Sequence, residues 1–419
     1  MRSTRSTLSP LTRLSVLFVF LAQTAPAAER IYTPDASLAW AKEQDKAIRA
    51  RLEQGDLDSM ANLLLFGTSF TRQPRIAVER LSEASKSGVV RARVDDLVTG
   101  LRSPGENERL LFLRDLLRRK GIDPEAPDAG KFVYDNLLRA LQERRTLAQR
   151  AAEAKPSSVL DRSSLFHDRG LSLDTSILPD FSLEQTLRDL KMHGVLREGQ
   201  VARVAVIGPG LDFIDKKEES AFDYYPPQTL QPFALYDSLL RLGLAKPGSL
   251  SMSILDISPH VISHLQRARK KSSYVIQLPR DVSRTWSADL ISYWRALGDR
   301  VGTPVEPLRP PELFHDLETR AVRIRPDVVL ACEPVDLNIV VERLNLPAAE
   351  RFDLIVGTNI FVYYDAMEQT LALENAGAML KPGGLLLTND QLPESPTGVM
   401  RQAGMTVTPI DAVGWYQKQ

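Results

Sequence analysis

Ala202-Arg203-Val204-Ala205-Val206-Ile207-Gly208-Pro209-Gly210-Leu211-Asp212 decides how this chain is read: an apolar, β-branched run is broken abruptly by two glycines one residue apart. A run this short, bounded by glycine, fits a parallel strand covered on both faces better than a half-exposed one. Glycines at its carboxyl end let the backbone turn tightly and approach a ligand, which a Cβ at either position would obstruct. Phe213 takes the sixth place of a G-x-G-x-x-G spacing, where a dinucleotide loop needs a small residue, so the NAD fingerprint is not met. A plain strand-to-loop turn competes with the ligand-loop reading, and the residues downstream separate the two.

From residue 201 onward, short β-branched runs alternate with helical patterns, the signature of a parallel sheet with crossover helices. Strands are expected near 202–207, 251–256, 273–278, 327–332, 352–357, 384–389, 405–409 and 413–417. Pro279 and an added segment follow the run at 273–278 and set it apart. No helix separates the last two strands, so they should form an antiparallel hairpin at the sheet edge. Before this region, helical stretches at about 35–52, 57–66, 74–87, 89–100, 106–120 and 130–154 are separated by Gly55, Gly88, Ser103-Pro104-Gly105 and the segment 121–130. Lys155-Pro156-Ser157-Ser158 ends them. The expected fold class is α/β: a doubly wound, seven-stranded, mostly parallel sheet over 156–419, preceded by an all-helical amino-terminal domain over 28–155.

Composition bounds the partners. With 53 basic and 53 acidic residues the chain has no global field to attract nucleic acid, and none is expected as a partner. Cys332 is the only cysteine, which excludes an intramolecular disulfide and any cysteine-rich metal site. At the amino terminus, Arg2, Arg5 and Arg13 precede or border the apolar run 14–22, and Ala25-Pro26-Ala27 has the small-x-small pattern of a cleavage site. Residues 1–27 therefore read as a signal peptide, which implies an exported or periplasmic protein, the alternative being a cytoplasmic one. The apolar run is too short to span a bilayer, and no stable membrane span is expected in the mature chain.

Two further stretches carry chemistry. Ser251-Met252-Ser253-Ile254-Leu255-Asp256-Ile257-Ser258 is a strand with an acid at its carboxyl end, where a carboxylate can accept hydrogen bonds from both hydroxyls of a ribose. An N-cap role for Asp256 or Ser258 is the alternative. Arg351-Phe352-Asp353-Leu354-Ile355-Val356-Gly357-Thr358-Asn359 is followed by a helix and then by Leu380-Lys381-Pro382-Gly383-Gly384-Leu385-Leu386-Leu387. Glycine loop, acid-ended strand, FDLIV strand and LKPGG turn, in this order, resemble the class I S-adenosylmethionine-dependent methyltransferases over about 200–419. The resemblance implies S-adenosylmethionine as cofactor. It places Gly208, Pro209 and Gly210 against the methionine part, Asp256 and Ile257 at the ribose, Asp336 with Leu337 at the adenine, and Asn359 by the methionine moiety or the transferred methyl. Val206 and Asp212 depart from it, standing where the family often has an acid and a third glycine.

Asn359-Ile360-Phe361-Val362-Tyr363-Tyr364 is similar to a run in the chemotaxis-receptor glutamate methyltransferases, and Thr68-Ser69-Phe70-Thr71-Arg72 is faintly like their cofactor-contacting motif. Thr358 and the Gly-Pro-Gly loop differ from that narrower family. Gly208 and Asp256 lie 48 residues apart, against roughly 20 for a simple strand-helix-strand unit, so 213–228 is an insertion that leaves the glycine loop and is expected to lie over the site as a lid. Tyr225 in that lid and Tyr363 after the fourth core strand are the candidate catalytic residues, with core packing as the competing role of Tyr363. His260 and His264 have zinc-compatible spacing but no third ligand, so no metal is expected. The expected activity is methyl transfer to an unidentified acceptor, a small molecule or a protein carboxylate. The alternative is a non-catalytic exported binding or scaffold protein that keeps the fold.

Overall fold

The computed structural model describes residues 29–33, 37–76, 88–153, 177–211, 223–312 and 316–419. The leader 1–27, the expected domain junction at 155 and residues 213–222 of the expected lid lie outside the described residues. The chain runs β1 (Arg30–Tyr32), α1 (Leu38–Phe66), α2 (Gly88–Arg102), α3 (Glu108–Arg119), α4 (Ala129–Glu153), α5 (Ile177–Met192), β2 (Arg203–Ile207) and α6 (Gln231–Arg241). It continues through β3 (Ser251–Asp256), α7 (Pro259–Lys271), β4 (Tyr274–Asp281), α8 (Ala288–Ala296), β5 (Gly302–Val305), β6 (Leu317–Ile324), α9 (Pro326–Ala331) and β7 (Cys332–Asp336). The last elements are β8 (Glu342–Leu344), β9 (Phe352–Val356), α10 (Ala366–Met379), β10 (Leu380–Thr388), β11 (Met400–Val407) and β12 (Ala412–Lys418).

Seven strands form one sheet in the order β11-β12-β10-β9-β2-β3-β7. β2 pairs in parallel with both β3 and β9, and β12 runs antiparallel to β10 and β11, which is the expected edge hairpin. The alternation of side chains along each strand explains why these runs are apolar throughout. Val204, Val206, Ile254, Leu354 and Leu387 face one core with α5, α6 and α7, while Ala205, Ile207, Leu255, Ile355 and Leu386 face the other with α10. The strand order reverses at β2, so a crevice opens outside the carboxyl ends of β2 and β9, the place where such sheets bind ligands.

Four expectations are corrected. Residues 326–331 are helix α9 rather than a strand, and the third core strand is Cys332–Asp336. A short apolar run does not distinguish helix from buried strand by itself, and Pro326 at the first helical position with Asp327 behind it favours the helix. The run near 273–278 is a strand, but β4 belongs to a separate three-stranded antiparallel sheet, β4-β6-β5, inserted ahead of α9. Gly55 does not break the helix: α1 is continuous over 29 residues, because its buried packing outweighs the roughly 1 kcal/mol that an interior glycine costs. Residues 74–76, the start of another expected helix, are not helical, and 77–87 lie outside the described residues.

α1 serves two cores. Ala41 and Ile48 pack with the sheet, and Met60, Leu63 and Leu64 pack with Leu97, Leu113 and Leu137 of α2, α3 and α4. β1 adds to this tie by pairing antiparallel with β8, Ile31 opposite Arg343.

Asp353 on β9 anchors the amino-terminal ends of the central strands. Its Oδ2 accepts from the amides of Ala202 (2.8 Å) and Arg203 (2.9 Å), and its Oδ1 meets Lys381 Nζ at 2.6 Å. Asp353→Ala orphans two half-buried N–H groups and a cation, and is expected to cost about 1–3 kcal/mol of stability. Urea unfolding checks this, and an unchanged midpoint would contradict it.

Candidate functional site

The glycine loop is shaped as its sequence requires. Gly208 (φ 60) and Gly210 (φ 68) both have left-handed backbone, and a Cβ on Gly208 would lie 2.8 Å from Ile360 Cδ1. The Gly208 amide donates to the Leu255 carbonyl at 2.8 Å, which turns the loop from β2 across the end of β3. There it meets Asp256. The Asp256 carboxylate accepts from the Ser258 amide at 2.7 Å and from the amides of Ile257 and Gly210. Burial pushes this carboxyl up to about 7 against the opposing effect of those three N–H groups, and the charge of Asp336 adds to the rise. Asp256 therefore both caps the turn into α7 and holds the glycine loop. A carboxylate offers about four acceptor positions, so capacity remains for a ligand hydroxyl. Beside it, the buried Ser258 hydroxyl has no partner among the described residues.

Asp336 lies opposite Asp256 across the parallel β3 and β7 pair, and the Leu337 amide donates to the Asp256 carbonyl at 3.0 Å. Leu337 is buried, whereas Asp336 is exposed. An arginine that the sequence reading did not single out completes this corner. Arg49, on α1, donates to the Ile257 carbonyl at 3.2 Å, pairs with Asp336 at 2.9 Å and is steadied by Asp45 at 2.8 Å. Arg30 approaches Asp336 at 3.7 Å from β1. Both cations come from elements more than 200 residues away in sequence, so no local motif announces them.

Across the crevice, Asn359 also has left-handed backbone (φ 57). Its amide donates to Asn389 Oδ1 at 2.7 Å, and Asn389 Nδ2 returns a bond to Asn359 Oδ1 at 2.8 Å. Asp390 Oδ2 accepts from the Phe361 and Val362 amides at 3.0 and 3.2 Å, ordering the single 3-10 turn of Phe361–Tyr363. Thr388-Asn389-Asp390, at the end of β10, is thus a second support missed by the sequence reading, legible only as a polar break after an apolar strand. Tyr363 is half-buried in the core that contains α10, and its carbonyl accepts from Arg51 at 3.1 Å. Thr358 is buried and bonded to Gln231, the first residue of α6, at 2.7 Å.

The described end of the insertion meets the helical part of the chain. Asp223 accepts from the Thr68 and Ser69 amides at 2.7 and 2.8 Å and from the Thr68 hydroxyl, so the Thr68 motif lies against the insertion. Tyr225 is buried beneath Arg109 of α3, whose guanidinium carbon sits 5.8 Å from the ring centroid and which also donates to the Tyr225 carbonyl. Its ring packs at this junction. Gly208, Pro209, Gly210, Asp256, Ile257, Asp336, Leu337 and Asn359 are thus gathered at the carboxyl ends of β2, β3, β7 and β9, while Tyr225 belongs to the seam with α3.

His264 bonds the Tyr274 hydroxyl at 2.8 Å, and His260 packs edge-on to Phe112 with ring centroids 4.3 Å apart. Burial, helped by Arg267, holds both imidazoles down at about 4, which keeps them neutral near pH 7. Among the described residues no group of three His, Cys, Asp or Glu side chains is placed to hold a metal, and no helix is long and apolar enough to cross a membrane.

No family model and no curated protein matches the chain. Solved structures to which it is similar include the N-methyltransferase NodS from Bradyrhizobium japonicum, at 13% identity, covering 56% of this chain and 94% of that one with a TM-score of 0.26. Another is magnesium protoporphyrin IX methyltransferase (ChlM) from Synechocystis with bound SAM, at 9% identity, covering 66% and 91% with a TM-score of 0.27. A third is MtNAS in complex with MTA and tNA, at 12% identity, covering 92% and 99% with a TM-score of 0.26. At these values nothing about the activity of this chain follows from them.

Asp256 makes stability depend on pH with a defined sign. Its folded carboxyl, at about 7, holds a proton that the unfolded chain releases near 3.8, so this contribution is full below 3.8 and is lost as pH rises toward 7. Asp256→Asn is expected to flatten the fall in melting temperature between pH 5 and pH 8. Parallel curves for the variant and the parent would contradict the burial of this carboxyl.

Proposed function

We propose that the chain binds S-adenosylmethionine in the crevice between β2 and β9 and transfers its methyl group to a small molecule or a protein carboxylate. The observation that carries this reading is Asp256 at the carboxyl end of β3, next to the strand at which the order reverses and bonded to the Gly210 amide, where one carboxylate can hold the loop and also accept from a ribose hydroxyl. The residues fit the group in two respects. Asp256 keeps acceptor capacity for a ribose hydroxyl, and the buried Ser258 hydroxyl beside it has no partner among the described residues. In this arrangement Asp336 and Leu337 flank the adenine, while Gly208, Pro209, Gly210 and Asn359 line the methionine end.

S-adenosylmethionine supplies an activated methyl on a cationic sulfonium, so the chemistry asks little of the protein beyond alignment of donor and acceptor. The chain's own work is to position and to exclude water. Arg49 and Arg30 restrain Asp336 at one end of the crevice, and the Asn359 to Asn389 pair fixes the backbone at the other. Ile360 closes over Gly208 and leaves no room for bulk solvent at that point. Tyr363 stands beside this turn as the candidate contact to the acceptor.

Ribose hydroxyls stabilise the ionised Asp256, which in the free protein titrates at about 7. Affinity for S-adenosylmethionine measured by calorimetry is therefore expected to tighten as pH rises from 6 to 8 and then level off. Asp256→Asn should bind about 1–3 kcal/mol more weakly and lose the dependence on pH. Incubation with candidate acceptors should release S-adenosylhomocysteine. Each of the three carbons on the sulfonium can in principle be transferred, so release of 5′-methylthioadenosine would show that another carbon moves and would overturn methyl transfer while leaving the binding site intact.

A further inference from the structure

Behind the crevice, three polar side chains run inward from its rim. Thr358, at the carboxyl end of β9, is 5% exposed and accepts from Gln231 Nε2 at 2.7 Å. Gln231 opens α6, and Asp180 lies in the first turn of α5; each is 3% exposed. Gln231 is the polar side chain beside the Asp180 carboxyl. Yet Gln231 Oε1 and both oxygens of Asp180 have no donor among the described residues. Three buried acceptors left without a donor would cost several kcal/mol, so the arrangement requires a hydrogen that resolves them.

Two arrangements supply one. In the first, Asp180 is protonated and donates to Gln231 Oε1, Gln231 Nε2 donates to Thr358 Oγ1, and the Thr358 hydroxyl points its hydrogen outward. In the second, Asp180 is ionised, the Gln231 amide is turned over so that Nε2 donates to the carboxylate, and the Thr358 hydroxyl donates to Oε1. Its oxygen then faces the crevice as an acceptor. We propose that Asp180 and Gln231 are positioning residues that act through Thr358, setting whether its hydroxyl donates to or accepts from a group at the rim of the crevice. With Asp180 ionised the rim suits an amine or hydroxyl nucleophile, whose N–H or O–H donates to Thr358 Oγ1 and whose lone pair is left free for the reaction. No proton passes along the relay; the amide rotates, and Asp180 exchanges its proton with solvent. The assignment of the rim to the acceptor rests on the S-adenosylmethionine reading, whereas the relay itself does not.

Burial pushes the Asp180 carboxyl up to about 8, with the neighbouring Gln231 amide opposing the rise, so both arrangements are populated near neutral pH. The charged and titratable groups around it are Glu184 on its own helix, Asp237 and Arg241 on α6, and Tyr293 on α8. Glu184, Asp237 and Arg241 are paired among themselves, at 2.5 Å from Arg241 to Glu184 and 3.1 Å from Arg241 to Asp237, and Arg241 also covers the Tyr293 ring at 5.5 Å. Asp180 stands outside that cluster.

Infrared titration of the full chain tests the relay. Two protonated-carboxyl C=O components are expected at pH 6.5, one from Asp256 with a midpoint near 7 and one lost with a midpoint near 8, and only the second is missing from Asp180→Asn. Gln231→Met removes a hydrogen bond to the charged form and should raise the midpoint by about one unit. Thr358→Val should raise it by less, since the outer donor only strengthens the inner bond, and Thr358→Ser should restore it. Melting curves verify that each variant is folded, and no band assignable to Asp180, or an unmoved midpoint in Gln231→Met, overturns the relay. Calorimetry with S-adenosylmethionine on the same samples separates the two readings. Absent binding to the parent chain defeats the cofactor reading alone, and an unresponsive infrared band defeats the relay alone.

Discussion

A carboxylate buried at the end of β3 takes hydrogen bonds from Ser258, Ile257 and Gly210, and much of the site follows from satisfying it. To reach Asp256, the Gly210 amide must cross from β2 to β3, which requires left-handed backbone at Gly208 and Gly210 and explains the two glycines. To remain there, the loop needs Ile360 packed where a Cβ on Gly208 would be, which in turn ties the turn after β9 to the loop after β2. The carboxylate ties the loop after β2 to the end of β3, at the cost of keeping a titratable group out of water.

The amino-terminal helices are part of this device rather than an appendage. α1 reaches from its own helical core to the carboxyl ends of β3 and β7, where Arg49 meets Asp336 and the Ile257 carbonyl. Two residues further along, Arg51 pairs with Glu368 at 2.7 Å and donates to the Tyr363 carbonyl. One turn of one helix thus contacts both walls of the crevice.

The parts of the fold that were legible in sequence are those whose signal is local. Val204 to Ile207 and Leu354 to Val356 are apolar on both faces because two cores press on them, and the glycines and the acid sit next to the strands they terminate. Two kinds of element were not legible: one whose local start signal is outweighed in the sequence pattern by a short β-branched run, and one whose identity depends on distant partners. Val328 and Val329 read as a strand but fold as α9, since Pro326 and Asp327 start a helix that a short β-branched run does not prevent. The sheet β4-β6-β5 requires antiparallel pairing across an interval that no motif marks, Tyr274 opposite Ile324. In the candidate site, Asp256 is singled out by its place at a strand end, and Asp336 and Asn359 by the resemblance to methyltransferases. Arg49, Asn389 and Asp390 are not, because a supporting side chain needs only a charge or an amide in reach, and sequence does not show what is in reach. Tyr225 was read as a lid residue from its place after the glycine loop, yet its ring is held in the seam beneath Arg109.

The central claim is that the crevice between β2 and β9 seats a ribose on Asp256, and a crystal structure of the chain with S-adenosylhomocysteine tests it most directly. The ligand should lie across the Gly208 to Gly210 loop with a ribose hydroxyl within hydrogen-bond distance of Asp256 and the adenine beside Asp336 and Leu337. Density for the ligand elsewhere, with Asp256 still bonded only to the amides of its own turn and loop, would contradict the account.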